Sequence, residues 1–242
     1  MEAARTVPER AESSELAAEL DRIEAAVAAG NHDLRALGLW RIVGRIKRDR
    51  GLVSAHADQV GRIDTAAFRA GVRLRTRVWI GNLVLVVGAV AGLAALIVAA
   101  NIDSPGWAGL LLLGAAGVWS VALHCPTHWL VGWLGGIRFT DVFLGGPPPP
   151  RPGLKTDYAT YLRAEPAMRA WFHASGATAT KLAPVLALAV WPLTEAPAWA
   201  AWGLLGFGAL LIATDLLFSV HSSDWKKFLR ERAVARAILR AP

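Results

Sequence analysis

The sequence predicts an all-α polytopic membrane protein with about four transmembrane helices, a small β-element in a cytoplasmic loop and a helical cytosolic cap at the N-terminus. Three observations lead there. The 242-residue chain is 54% hydrophobic and carries eleven tryptophans, more apolar than a soluble domain of this length. Its charge is segregated: long stretches between Val78 and Val220 are nearly free of it, whereas residues 1–77 and the tail are dense in arginine and lysine. The net charge of +7 therefore lies at the membrane edges, where topology and anionic headgroups account for it, and no nucleic-acid partner is expected.

From Glu9 to Ala29, "ERAESSELAAELDRIEAAVAA" is built of strong helix formers, with Leu16, Leu20, Ile23 and Val27 on one apolar stripe, which predicts a soluble amphipathic helix. The following segment mixes helical periodicity with Arg41, Arg45, Lys47, Arg48 and Arg50 and runs into the membrane. It completes a juxtamembrane region over 1–77 that lies against headgroups, with His32 and His56 at the surface. The first thirty residues are acidic and alanine-rich, so no cleavable signal peptide is expected. The single cysteine, Cys125, excludes an internal disulfide framework.

A transmembrane domain is expected over 78–225, followed by a basic tail over 226–242. Its spans run approximately from Val78 to Ala100, Gly106 to Gly135, Ala170 to Leu193 and Ala198 to Val220, each long enough for a hydrocarbon core of about 30 Å. The connections Asn101 to Pro105 and Thr194 to Pro197 contain no lysine or arginine, while the N-terminal region, the loop from Gly136 to Arg169 and the tail are basic. The positive-inside rule then puts both termini and the long loop in the cytoplasm of a protein of the cell's inner or plasma membrane. Within the loop, "IRFTDVFLGG" reads as a short strand and "PPPPRPG" as extended chain. "TDYATYLRAEPAMRAW" reads as an interfacial helix with Tyr158, Tyr161 and Trp171 at headgroup level.

Four ionisable side chains fall inside spans: His124 and His128 in the second, Lys181 in the third and Asp215 in the fourth. Such groups cost a few kcal/mol each and mark functional sites by default. Counted from the cytoplasmic ends, Asp215 lies about 10 Å deep, His128 about 10 to 15 Å, and His124 and Lys181 a little under 20 Å, so the four can share one layer. At a spacing of four the two imidazoles face the same way and can bind one tetrahedral Zn2+, with Asp215 as the third ligand. Asp224 is the weaker rival, being next to Lys226 and Lys227. A hydrogen-bonded histidine pair without metal is the plainer alternative. Lys181 neutralises Asp215, binds an anion or carbonyl, or has a lowered pKa from desolvation. His173 and His221 lie near the cytoplasmic boundary, as interfacial residues or as groups behind the ligands.

"HCPTHWLVGWLGGIRFTDVFLG", "YLRAEPAMRAWFHASGATATK" and "IATDLLFS" follow one another in an order that resembles the site-2 protease family of intramembrane zinc metalloproteases. That family carries His-Glu-x-x-His, a small-residue-rich step into a short strand, a span opening near Ala-Gly-Pro, and a later Leu-Asp-Gly aspartate. The resemblance covers about 106–223, matches Ser175-Gly176-Ala177 to the third segment, and implies zinc held by His124, His128 and Asp215. The chain departs from the pattern at four points: Cys125 replaces the general-base glutamate, Pro126 interrupts the motif helix, the third-segment proline is absent, and no glycine follows Asp215.

These departures imply a zinc-binding membrane protein that has lost or altered proteolysis, binding a transmembrane or extended peptide client that pairs with the strand Ile137 to Phe143. Two alternatives stand beside it. One is an active intramembrane metallopeptidase with a rearranged base, in which Lys181 or His173 shuttles the proton. The other is a small metal or ion transporter, to which a homodimer would supply further helices. Cys125 is a small buried apolar residue, an extra soft ligand or a thiolate nucleophile.

Overall fold

The computed structural model describes residues 7–145, 151–218 and 223–240. His221 and the four prolines 147–150 lie outside the described residues. Among the described residues four helices are long and apolar enough to cross a membrane, the other helices are short or polar, and the sheet is small, so the chain is an all-α integral membrane protein.

The N-terminal stripe becomes the core of a helical cap. Helix α1 (Val7–Ala28) lays Leu16, Leu20, Ile23 and Val27 against α2 (Leu39–Ile46) and α3 (Arg50–Gly71), where Leu39, Ile42, Ile46, Val60 and Ile63 close the cluster. Each such aliphatic side chain contributes about 1.5–3 kcal/mol when fully buried. Asp49 starts α3 by accepting a hydrogen bond from the Leu52 amide at 2.9 Å, which satisfies one of the helix's free donors. His32 is exposed as expected. His56 is not a surface residue: it is buried, with Ser13 Oγ 3.1 Å from its Nε2, because it lies on the face of α3 that packs on α1.

The spans are α4 (Val78–Ala99), α5 (Pro105–Ala122), α8 (Pro166–Val190, extended by a 3₁₀ turn Trp191–Leu193) and α9 (Ala198–Phe218). They meet through small residues, Ala99, Ala108, Ala115, Ala116, Ala187 and Ala200, which let the backbones approach closely. The segment expected as one span from Gly106 to Gly135 is divided at Leu123 into α5 and α6 (His124–Leu134). Pro126 is the cause, since it offers no N–H to the Ala122 carbonyl four residues back.

Three antiparallel strands pair in the order β1 (Arg75–Arg77), β2 (Phe139–Gly145), β3 (Arg151–Thr156), with Thr76 opposite Val142 and Val142 opposite Leu154. The expected strand is therefore the central one, hydrogen-bonded along both edges. Over Asp141–Phe143 both edges of β2 are taken, so an added peptide strand cannot pair with it there, contrary to the sequence-based expectation. The outer edges belong to β1 and β3.

The expected interfacial helix is instead α7 (Tyr158–Arg163) followed by the start of α8, with the break at Ala164 and Glu165 before Pro166. Asp157 caps α7 by accepting from the Ala159 amide at 3.0 Å. Trp171 is exposed, whereas Tyr158 is half-buried and Tyr161 buried. Tyr158 packs on the cap cluster, and Tyr161 is buried because its hydroxyl has protein partners. The tail forms α10 (Asp224–Arg240), which packs along α8 with Phe228 seated near Ala170 and Ala174.

Candidate metal centre

Helix α6 opens at His124, so His124 and His128 stand one turn apart on one face, their ring centroids 4.7 Å apart and their planes nearly perpendicular. Each ring is held through its Nδ1. His128 Nδ1 lies 2.5 Å from the Phe172 carbonyl oxygen on α8, and a carbonyl only accepts, so this nitrogen carries the proton. His124 Nδ1 lies 3.0 Å from Thr180 Oγ1. The Thr180 hydroxyl proton has the Gly176 and Ser120 carbonyls at 3.1 and 3.2 Å, which leaves its oxygen to accept from His124.

With both Nδ1 atoms protonated, the two Nε2 atoms of neutral rings present lone pairs. They face Asp224 Oδ2, at 3.5 Å from His124 and 3.2 Å from His128. Three electron-pair donors thus converge, all within 4.8 Å of one another. Donors that close repel unless a positive charge lies between them, either a proton on one imidazole or a metal ion. The two distances to the carboxylate oxygen lie close to the roughly 3.3–3.4 Å edges of a tetrahedron with bonds of about 2.0–2.1 Å. His128 is buried, and the group can hold a metal ion.

Asp224 reaches this position from the first turn of α10, where the helix dipole favours an anion. Its other oxygen, Oδ1, accepts from Lys227 Nζ at 3.2 Å. Burial pushes the carboxyl's pKa up, but a proton shared with His128, the positive charge the converging donors call for, prevails together with the Lys227 charge and holds it below the usual aspartate value. Gly176 completes the cradle, because a Cβ there would stand 2.3 Å from His128 Nε2.

The other residues singled out from sequence lie elsewhere. Asp215 on α9 is not beside the histidines; it pairs with Lys181 on α8, and Lys181 Nζ also donates to the Ala177 carbonyl at 3.2 Å. The carboxylate in the histidine group is Asp224. His173 turns away from the donor group, its Nε2 2.9 Å from the Tyr161 hydroxyl. Cys125 is 1% exposed and its thiol donates to the Pro152 carbonyl on β3 at 3.5 Å, so it points at the sheet. Among the described residues the metal-binding group contains one carboxylate and no thiol. The signal for Asp224 was present in "SDWKKFLRERAVARAILR": Ser223 Oγ accepts from the Lys226 amide at 3.2 Å, and the stretch is a helix with its acidic residue at the N-terminus.

No family model, curated protein or solved structure matches the chain.

Proposed function

We propose that this is a membrane-embedded zinc protein of the site-2 metalloprotease type that keeps the metal and has lost conventional peptide hydrolysis. The observation that carries the reading is the pair of imidazoles with both Nδ1 atoms tied to α8 and both Nε2 atoms aimed at one carboxylate oxygen. Ligating histidines are commonly oriented in this way by a carbonyl or hydroxyl behind them. Two nitrogens and one carboxylate oxygen form the donor set of an open tetrahedral zinc site, with a fourth position left for solvent or a client. The order of motifs along the chain supports the family assignment.

A bound zinc ion supplies Lewis acidity, but hydrolysis by this route also needs a group that takes a proton from the attacking water and returns it to the leaving amine. The position of that base is occupied by Cys125, whose thiol is buried and donating to a backbone carbonyl. Lack of a positioned base typically costs a hundredfold to ten-thousandfold in rate. The protein therefore engages a transmembrane or extended peptide client without cutting it. The basic cap, hairpin and tail lie on the cytoplasmic side, with both termini.

Metal analysis of detergent-purified protein tests the reading. About one zinc per chain is expected, lost in His128→Ala and in Asp224→Asn and retained in Asp215→Asn. Metal-free wild type, purified without chelators, would overturn it. Loss in Asp215→Asn with retention in Asp224→Asn would return the third ligand to the fourth span.

A further inference from the structure

Asp224 is carried by the tail helix, and that helix is fastened to the cap. Glu231 lies seven residues beyond Asp224 on α10, two turns along and about 10.5 Å away. It is 4% exposed, and every donor around it comes from another element. Lys47, at the C-terminal end of α2 in the cap, pairs with its Oε1, which also accepts from the Tyr161 hydroxyl of α7 at 3.0 Å. Arg169 of α8 donates from Nε to Oε2 at 2.6 Å. Arg169 is itself 1% exposed and pinned in place, its Nη1 donating to the Leu162 and Ala164 carbonyls at 2.8 and 3.0 Å.

The energetics make this a clamp. Two cations brought into a buried space need an anion, and breaking one partner out of such a cluster leaves uncompensated charge behind. Glu231 is the carboxylate that faces both, so α10 is drawn in at that point. Where Glu231 is held, the N-terminal turn of the same rigid helix is held too, and that turn puts Asp224 against the histidines. Phe228, one turn before Glu231, adds apolar contact with Trp171 but has no directional hold on the helix.

We propose that α10 is a latch closed from two sides: Lys47 of the N-terminal cap and Arg169 of α8, by holding Glu231, position Asp224 in the metal site, so that cap docking through Lys47 and metal retention are coupled. The proposal rests on the metal-binding reading. Lys47, Arg169 and Glu231 are positioning residues, since none of them touches the metal donors. Coupling of this kind is reciprocal: whatever the docked cap adds to metal affinity, bound metal adds to cap docking.

The test is zinc titration of the full chain in detergent, for wild type, Lys47→Met, Lys47→Arg and Glu231→Gln, with hydrogen exchange followed in the presence and absence of zinc. Lys47→Met and Glu231→Gln are expected to weaken zinc binding about tenfold to a hundredfold, with Lys47→Arg recovering most of the loss. Added zinc should protect amides of α10 and α2 in wild type and fail to do so in Asp224→Asn. Wild-type affinity in a folded Lys47→Met, or zinc protection confined to α6 and α8, would overturn the latch and leave the metal site standing. Wild type that binds no zinc would overturn both. If Lys47→Met does not fold, the exchange comparison of wild type with Asp224→Asn decides.

Discussion

Gly176 lies directly against the His128 imidazole, so close that an added methyl would meet Nε2 at 2.3 Å and Cδ2 at 2.4 Å. In an ordinary helix interior, glycine to alanine is stabilising by up to about 1 kcal/mol. Here the methyl and the ring cannot occupy the same space, and the ring atom displaced is the one that faces Asp224. Gly176→Ala is therefore expected to lose most zinc binding while α8 remains helical. Zinc content and far-ultraviolet circular dichroism on the same sample check it; normal zinc in the variant would mean that His128 is not a ligand.

The Lys181 and Asp215 pair joins α8 to α9 and takes no part in the histidine group. Asp215→Asn removes the counter-charge from Lys181 within the apolar bundle and is expected to cost about 2–3 kcal/mol. The double variant Lys181→Met with Asp215→Leu should regain much of that loss, since well-packed apolar pairs replace buried ion pairs at little cost. Zinc content should be unchanged in both. Denaturation in detergent reads the stability difference, and a double variant less stable than Asp215→Asn would contradict this account.

Acid should open the tail. Burial raises the Glu231 pKa, but Lys47 and Arg169 outweigh it and leave the folded value below the ordinary 4.5. A depressed carboxyl stabilises the fold fully above its unfolded pKa, and the contribution is lost as pH falls through the lower folded value. The groups facing it are Lys47, Arg169 and the Tyr161 hydroxyl, which in turn meets His173. Hydrogen-exchange protection of α10 is thus expected to decline as pH drops below about 4.5, and to decline less in Glu231→Gln, which has no charge to lose. Equal acid sensitivity in the two proteins would remove Glu231 as the cause.

The legible parts of this molecule are those written in local periodicity. Leu16, Leu20, Ile23 and Val27 mark the cap core, uninterrupted apolar runs mark the spans, and a spacing of four marks the histidine pair. The depth count that favoured Asp215 fails because it measures position along a span and has no knowledge of a tail helix that folds back. Lys226 and Lys227 made Asp224 look solvated, yet Lys227 supports the carboxylate from its second oxygen. The bond between Lys47 and Glu231 joins residues 184 positions apart, and a lone lysine in a basic stretch gives no sign of it. Tyr158 and Tyr161 carry the composition of headgroup anchors, and only tertiary packing shows Tyr158 against the cap and Tyr161 buried with Ile137, Ala164 and Phe172.

Cys125 gives the sharpest prediction about chemistry. Its Sγ is directed at the Pro152 carbonyl and is not among the converging donors of His124, His128 and Asp224, so Cys125→Ala should bind zinc within about threefold of wild type. Glutamate at this position would supply the general base that the proposed metalloprotease-type reading lacks, but not its surroundings. The longer side chain would overpack a fully buried site, at a cost of about 1–3 kcal/mol. An ionised carboxylate there would also face a carbonyl oxygen, an acceptor opposite an acceptor, which favours the neutral acid over the base. Cys125→Glu is accordingly expected to be less stable and still unable to cleave a helical peptide. Pairing it with removal of the β3 contact, by shortening the hairpin from 146 to 152, is the condition under which cleavage should emerge if the sheet alone blocks the base. Cleavage by the single variant would mean instead that β3 yields easily and that one substitution separates this protein from a working peptidase.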